Sequence, residues 1–321
     1  MRRLSARMIW PILAALMLEA IFTGGSWAGE LWVANGKSAN VSVIDTTSLE
    51  VIATIPADRG PHNVTISPDG KLALVANVGA NNVTFIDAVG KKVLANVDAA
   101  GPRTHHVSVS PDGRTAVASN MGGDTVSLID IRLAKNIGSI TTDKGALMSV
   151  YSPDGQYLYV VNAKAATISV VEEHFREVIG VLPGEKDMRA FVPTRDWLHA
   201  WVSASAADKV FVLDLAKSER IATIEVPGEP HGIVLSPDDT LLYVVQRRLE
   251  QVAVIDTGSR EIVKTAPMGK RPDQIAISPD GTTLYVTSRN ENKLLIVSAS
   301  DLRVIGEVVT GEDPHGVAYR N

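Results

Sequence analysis

The tetrapeptide Ser67-Pro68-Asp69-Gly70 returns as Ser110-Pro111-Asp112-Gly113, Ser152-Pro153-Asp154-Gly155, Ser236-Pro237-Asp238-Asp239 and Ser278-Pro279-Asp280-Gly281. The first three copies lie 43 and 42 residues apart, and the step of 84 to Ser236 is two periods. The skipped copy is read in degenerate form at Pro193-Thr194-Arg195-Asp196, and one more period beyond Ser278 lands on Arg320. A fixed period of this length marks a chain built from stacked supersecondary units, and it constrains the fold more than any other feature.

Each unit has the same internal order. A short apolar run such as Val64-Thr65-Ile66 enters the turn, and a second such as Leu72-Ala73-Leu74-Val75-Ala76-Asn77 leaves it. A third run ends in aspartate, as in Val41-Ser42-Val43-Ile44-Asp45, and a fourth, such as Val51-Ile52-Ala53-Thr54-Ile55, completes the unit. Runs of β-branched residues bounded by Pro, Asp, Asn and Gly are strands and turns. Four antiparallel strands in a unit of about 40–45 residues is the arithmetic of a propeller blade. Asp45, Asp87, Asp130, Asp214 and Asp256 end third strands and are expected to cap the following turn with their carboxylates.

The ends set the blade count. Leu31-Trp32-Val33-Ala34-Asn35 reads as a second strand with no first strand before it, and His315-Gly316-Val317-Ala318-Tyr319 as a first strand with no second strand after it. Joined, they make one composite blade that closes the ring and leaves no open sheet edge. The expected fold is all-β: a seven-bladed β-propeller of four-stranded antiparallel blades occupying residues 29–321 as a single domain.

Residues 1–28 are expected to be a signal peptide. Arg2, Arg3 and Arg7 precede the apolar stretch from Met8 to Leu18, and Ser26-Trp27-Ala28 is a small-x-small cleavage site, with the cut after Ala28. The apolar run is short for a spanning helix and is interrupted by Glu19, so a periplasmic or secreted protein without a membrane span is expected. Its loss takes the net charge from −5 to −7, which argues against a nucleic acid partner. The chain has no cysteine, which excludes disulfides, thiolate metal sites, covalently attached c-type haem and a cysteine nucleophile.

The stretch LWVANGKSANVSVIDTTSLEVIATIPADRGPHNVTISPDG, residues 31–70, resembles the YVTN-type β-propeller repeat of bacterial and archaeal surface or periplasmic proteins, and the resemblance extends over residues 30–321. It implies the propeller fold and a role in holding a ligand or partner. It does not imply a particular chemistry, because one fold of this kind hosts many functions.

Five of the seven histidines sit at the start of a first strand, at the rim of the central channel: His62, His105, His106, His231 and His315. Counting back five positions from each turn gives the ring His62, His105, Leu147, Met188, His231, Asp273 and His315. The next position gives Asn63, His106, Met148, Arg189, Gly232, Gln274 and Gly316. His315, His62, His105 and His106 fall on three consecutive blades, with His231 apart. Neutral imidazoles converging on one point bind transition metals, and Met148 and Met188 would add thioethers. The bland alternative is that repeat duplication has copied a turn histidine that faces water. Arg103, Arg189, Arg247, Arg248 and Arg289, with Arg271 and Lys293, lie on the same face and would suit a carboxylate or phosphate ligand.

Three functions are therefore weighed. The first is a binding or scaffold propeller, with no chemistry of its own, that holds an unnamed protein partner or small ligand at the histidine-bearing mouth. The second is a metal- or cofactor-dependent, redox-associated protein using His62, His105, His106 and His315. The third is a hydrolase like the lactonase propellers, which also place His and Arg at a channel mouth. Against the third stand the export signal and the lack of a Gly-x-Ser-x-Gly elbow.

Overall fold

The computed structural model describes residues 29–321 except Glu173 and Phe175, so the signal-peptide segment 1–28 lies outside the described residues. Seven four-stranded antiparallel sheets form the ring. The blade written across the ends of the chain is present: strand Pro314–Arg320 pairs with Glu30–Asn35, which continues to Asn40–Asp45 and Val51–Pro56. We number it blade one and follow the chain to blade seven. The innermost strands of blades two to seven are Pro61–Ile66, Thr104–Val109, Ala146–Tyr151, Met188–Pro193, Pro230–Leu235 and Pro272–Ile277. Each innermost strand touches the next around the ring, blade seven against blade one included. No helix among the described residues is long and apolar enough to cross a membrane.

The repeated tetrapeptide folds as its side chains dictate. Ser67 Oγ donates to Asp69 Oδ1 at 2.7 Å, and the same hydroxyl accepts the amide of Leu72 at 2.9 Å. Gly70 closes the turn in the left-handed region, at φ +70°. The third-strand aspartates cap their turns as expected: Asp45 Oδ1 accepts the amides of Thr47 and Ser48 at 2.9 and 2.7 Å. The asparagines that end second strands bind the blade together from inside. Asn35, Asn77, Asn120 and Asn162 are fully buried, and each Nδ2 donates to side chains five and seven residues on.

Blade five departs from the expected register by one residue. The serine position of the turn is filled by Thr194, not Pro193. Thr194 Oγ1 donates to Asp196 Oδ1 at 2.6 Å and accepts the amide of His199 at 3.2 Å, repeating the Ser67 pattern. Trp197 then takes the glycine place at φ +56°. The proline of Pro193-Thr194 imitates the proline of Ser-Pro one position out of step, which misleads a count made on sequence.

The sheets pack through their faces. One interface of blades four and five buries Val161, Ile168, Leu182, Met188, Phe191 and Phe211. Met188 is fully buried there. It is a core residue and not a thioether at the mouth, a direct result of the shifted register.

Candidate functional site at the channel mouth

Every innermost strand carries one extra residue near its start, where pairing with the second strand slips. The slip falls between Pro61 and Asn63, Thr104 and His106, Ala146 and Met148, and Met188 and Ala190, with equivalents in the other three blades. A bulge re-aims the side chain it carries. With blade five corrected, the ring of equivalent positions runs His315, His62, His105, Leu147, Arg189, His231 and Asp273. Blade five therefore contributes a guanidinium to the mouth.

The four ring histidines are closer than the sequence count implies. The His62 ring lies against those of His315 and His105, tilted to both, with ring centroids 3.5 and 3.8 Å away. His231 is not apart: its ring is 5.9 Å from that of His315, and Asp273 joins the two from the blade between them. His315 Nε2 lies 2.7 Å from Asp273 Oδ2. His231 Nδ1 donates to the Asp273 carbonyl at 3.1 Å, and His105 Nδ1 donates to the Leu147 carbonyl at 3.0 Å. A carbonyl can only accept, so these two bonds fix the tautomer and leave Nε2 of each ring with its lone pair. Nδ1 of His62, of His106 and of His315 is buried without a hydrogen-bond partner. Most buried side-chain polar atoms in folded proteins have a hydrogen-bond partner, so three such atoms in one ring call for an explanation.

The charges follow from this packing. Burial, reinforced by the neighbouring imidazoles, holds His62 and His105 well below the usual histidine range. Burial alone brings His106 down to about 4. Burial also lowers His231 and His315, although Asp273 pulls both the other way. For Asp273, burial works to raise the carboxyl, but His315, His231 and Arg247 outweigh it and hold it well below the usual carboxylate range. At neutral pH the imidazoles are thus uncharged, and the standing positive charge against Asp273 is that of Arg247, in direct contact with Oδ1, and of Arg289, 3.7 Å away.

The arginines named from sequence divide accordingly. Arg247 is 9% exposed and is spent on Asp273, with Glu229 at 3.7 Å. Arg289 grips Asp313 with Nε and Nη2 at 2.7 and 2.9 Å. Arg248 is largely exposed and pairs with Asp208 at 2.6 Å, an ordinary surface contact. Arg189 contacts Asp187 through Nη2, and its buried Nε has no partner. Arg103 is exposed at the rim of the neighbouring pocket.

A cavity of about 130 Å³ is lined by His62, His105, His106, His315, Met148, Gln274 and, alone of these arginines, Arg189. Leu147 and Arg189 are shared with a larger, adjoining cavity of about 470 Å³. That cavity is rimmed by Arg103, Lys164 and Lys186. Together they form a polar floor of neutral imidazoles opening onto a basic pocket. Asp273, the organiser of the floor, was not singled out from the sequence as a site residue. The signal was present: an acid at a ring position filled in four other blades by histidine.

The geometry defines a class, a seven-bladed propeller with a histidine-, arginine- and aspartate-lined mouth. The family model described as "Lactonase, 7-bladed beta-propeller" matches residues 90–301, most of the sequence, and the chain belongs to that family. A "YNCE-like beta-propeller" model matches residues 22–102. No curated protein matches the sequence significantly. Among solved structures, the periplasmic gluconolactonase PpgL of Pseudomonas aeruginosa is similar at TM-score 0.78 and 18% identity, over 91% of this chain and 99% of that one. A putative 6-phosphogluconolactonase of Bacteroides fragilis is similar at TM-score 0.78 and 16% identity, over 92% and 99%. Hydrazine synthase of Kuenenia stuttgartiensis is similar at TM-score 0.77 and 20% identity, over 84% and 92%. At these identities the likeness is one of fold.

Proposed function

We propose that this chain is an exported propeller that binds a small anionic lactone at its mouth and opens the ring by hydrolysis. The observation that carries the reading is that one cavity is lined both by neutral His62, whose Nδ1 has no partner, and by Arg189, whose Nε has none. Membership in the lactonase propeller family supports it. The resemblance of the repeats to the YVTN type and the basic, apolar, small-x-small order of residues 1–28 support action outside the cytoplasm.

The chemistry needs a base and a counter-charge. His62, held neutral, takes a proton from water as its oxygen attacks the lactone carbonyl carbon. Arg189 faces the oxyanion that develops on the carbonyl oxygen and then the carboxylate of the product. The ring C–O bond breaks, and the proton held by His62 passes to the departing alkoxide oxygen, which completes a hydroxy acid. The basic rim of Arg103, Lys164 and Lys186 attracts an acidic substrate toward the floor.

The test is acid release from a panel of aldonolactones at constant pH. Turnover above the buffer rate, reduced about 100-fold or more by His62→Ala, is expected. Binding of aldonate without turnover would return the chain to the role of a ligand-binding propeller. Neither binding nor turnover would remove the mouth as a lactone site.

A further inference from the structure

Among the described residues, one set of three potential ligands has atoms that all lie within 4.8 Å of one another: His231, Asp273 and His315. This set differs from the His62, His105, His106 and His315 group suggested by counting along the chain. The rings of His315 and His105 lie against His62 with centroids 3.5 and 3.8 Å away and are tilted to it, but the nitrogens of His62, His105 and His106 do not form such a set. We propose that His231, Asp273 and His315, from blades six, seven and one, form a binding site for a single divalent transition-metal ion of the zinc type.

The argument rests on how each donor is held. His231 Nδ1 is engaged by the Asp273 carbonyl, which turns Nε2 into the ligand atom and fixes the ring. That is the outer-shell arrangement that orients metal-binding imidazoles. His315 Nε2 and Asp273 Oδ2 are 2.7 Å apart, and the ion takes the place of the proton between them, which moves to the unpartnered Nδ1 of His315, so that the imidazole stays neutral. Asp273 Oδ1 stays with Arg247, so the carboxylate bridges the ion and a guanidinium. All three side chains are buried, at 3%, 0% and 3% exposure, on rigid strand starts from neighbouring blades.

The donor set selects the ion. Two imidazoles and one carboxylate suit zinc, iron or cobalt, whereas calcium and magnesium prefer all-oxygen shells. Arg247 and Arg289 beside Asp273 also penalise a cation that gains only electrostatic attraction, and favour one that forms strong bonds to nitrogen. Three protein ligands leave a fourth position open, as in catalytic rather than structural zinc sites. His315 lines the mouth cavity, so that position adjoins the space assigned to substrate. The site stands apart from the lactone reading and can be tested without substrate.

The experiment uses the full mature chain, stripped with chelator, dialysed and titrated with Co2+ and Zn2+. Expected is about one equivalent of Co2+ with the d–d absorption of a four- or five-coordinate site, displaced by Zn2+. His231→Ala and His315→Ala, with circular dichroism confirming the fold, should weaken binding at least ~100-fold. His62→Ala should bind as wild type. Failure of the wild-type chain to take up either ion would overturn the proposal. So would unchanged affinity in folded His231→Ala, or loss of binding in His62→Ala alone. If His231→Ala does not fold, His231→Gln keeps the side-chain volume and decides the same question.

Discussion

Nε2 of His315 lies 2.7 Å from Oδ2 of Asp273, although the two residues are 42 positions apart and belong to different blades. They meet because innermost strands of adjacent blades run side by side, with the same bulged position on each facing the channel. Asp273 is fully buried with Arg247 against its other oxygen. Removing the carboxylate charge leaves a guanidinium buried without its partner. Asp273→Asn should therefore cost about 3–5 kcal/mol in urea unfolding, and adding Arg247→Met should recover more than half. Asp273→Asn as stable as the wild type would show that the pair holds nothing together.

Met188 and Arg189 are adjacent in sequence, yet the corrected register gives them opposite roles. Met188 is buried among Phe191, Leu182 and Phe211, so Met188→Ala should lower stability by about 2–5 kcal/mol and leave KM for lactone unchanged. Arg189→Ala should reduce kcat/KM by about 100-fold with a stability change under about 1 kcal/mol. Urea unfolding and steady-state kinetics on both variants would detect the reverse assignment at once.

His106 gives a pH signature. Its folded-state value, about 4, lies below the ordinary 6.5 because of burial. Between those pH values the unfolded chain binds more protons than the folded one. The stability linked to His106 is thus complete above 6.5 and is lost as pH falls toward 4. The full shift corresponds to about 3 kcal/mol. Acidification over this window should lower the melting temperature of the wild type more than that of His106→Gln. An equal fall in both would mean that His106 titrates normally.

Ring closure depends on the pairing of Pro314–Arg320 with Glu30–Asn35. Arg320 adds a contact to Glu30 at 2.9 Å, and Lys91 another at 2.6 Å. Deleting residues 314–321 removes the innermost strand of blade one and exposes the inner edge of Glu30–Asn35. The truncated chain should self-associate in sedimentation or light scattering. A stable, monodisperse truncated protein would show that the ring does not need its composite blade.

The blade arithmetic was legible because the period, the Ser-Pro-Asp-Gly turns and the split first and second strands each carry local chemistry. The histidine concentration at strand starts was legible for the same reason. Two things were not. Pro193 beside Thr194 imitates Ser-Pro one residue early, and only the bonds of Thr194 to Asp196 and His199 show the true register that puts Arg189 in the ring. The meeting of His231, Asp273 and His315 depends on how tightly the seven innermost strands close around the channel. That radius is set by packing between blades and is not written in any one repeat.

The central claim is that the His62–Arg189 floor is where ligand binds, and a crystal structure of the mature chain soaked with an aldonate product tests it most directly. The account predicts the ligand carboxylate within hydrogen-bond distance of Arg189, with the rest of the molecule over His62 and His105. An aldonate bound at the Ser-Pro-Asp-Gly face, with the mouth holding only water, would contradict it.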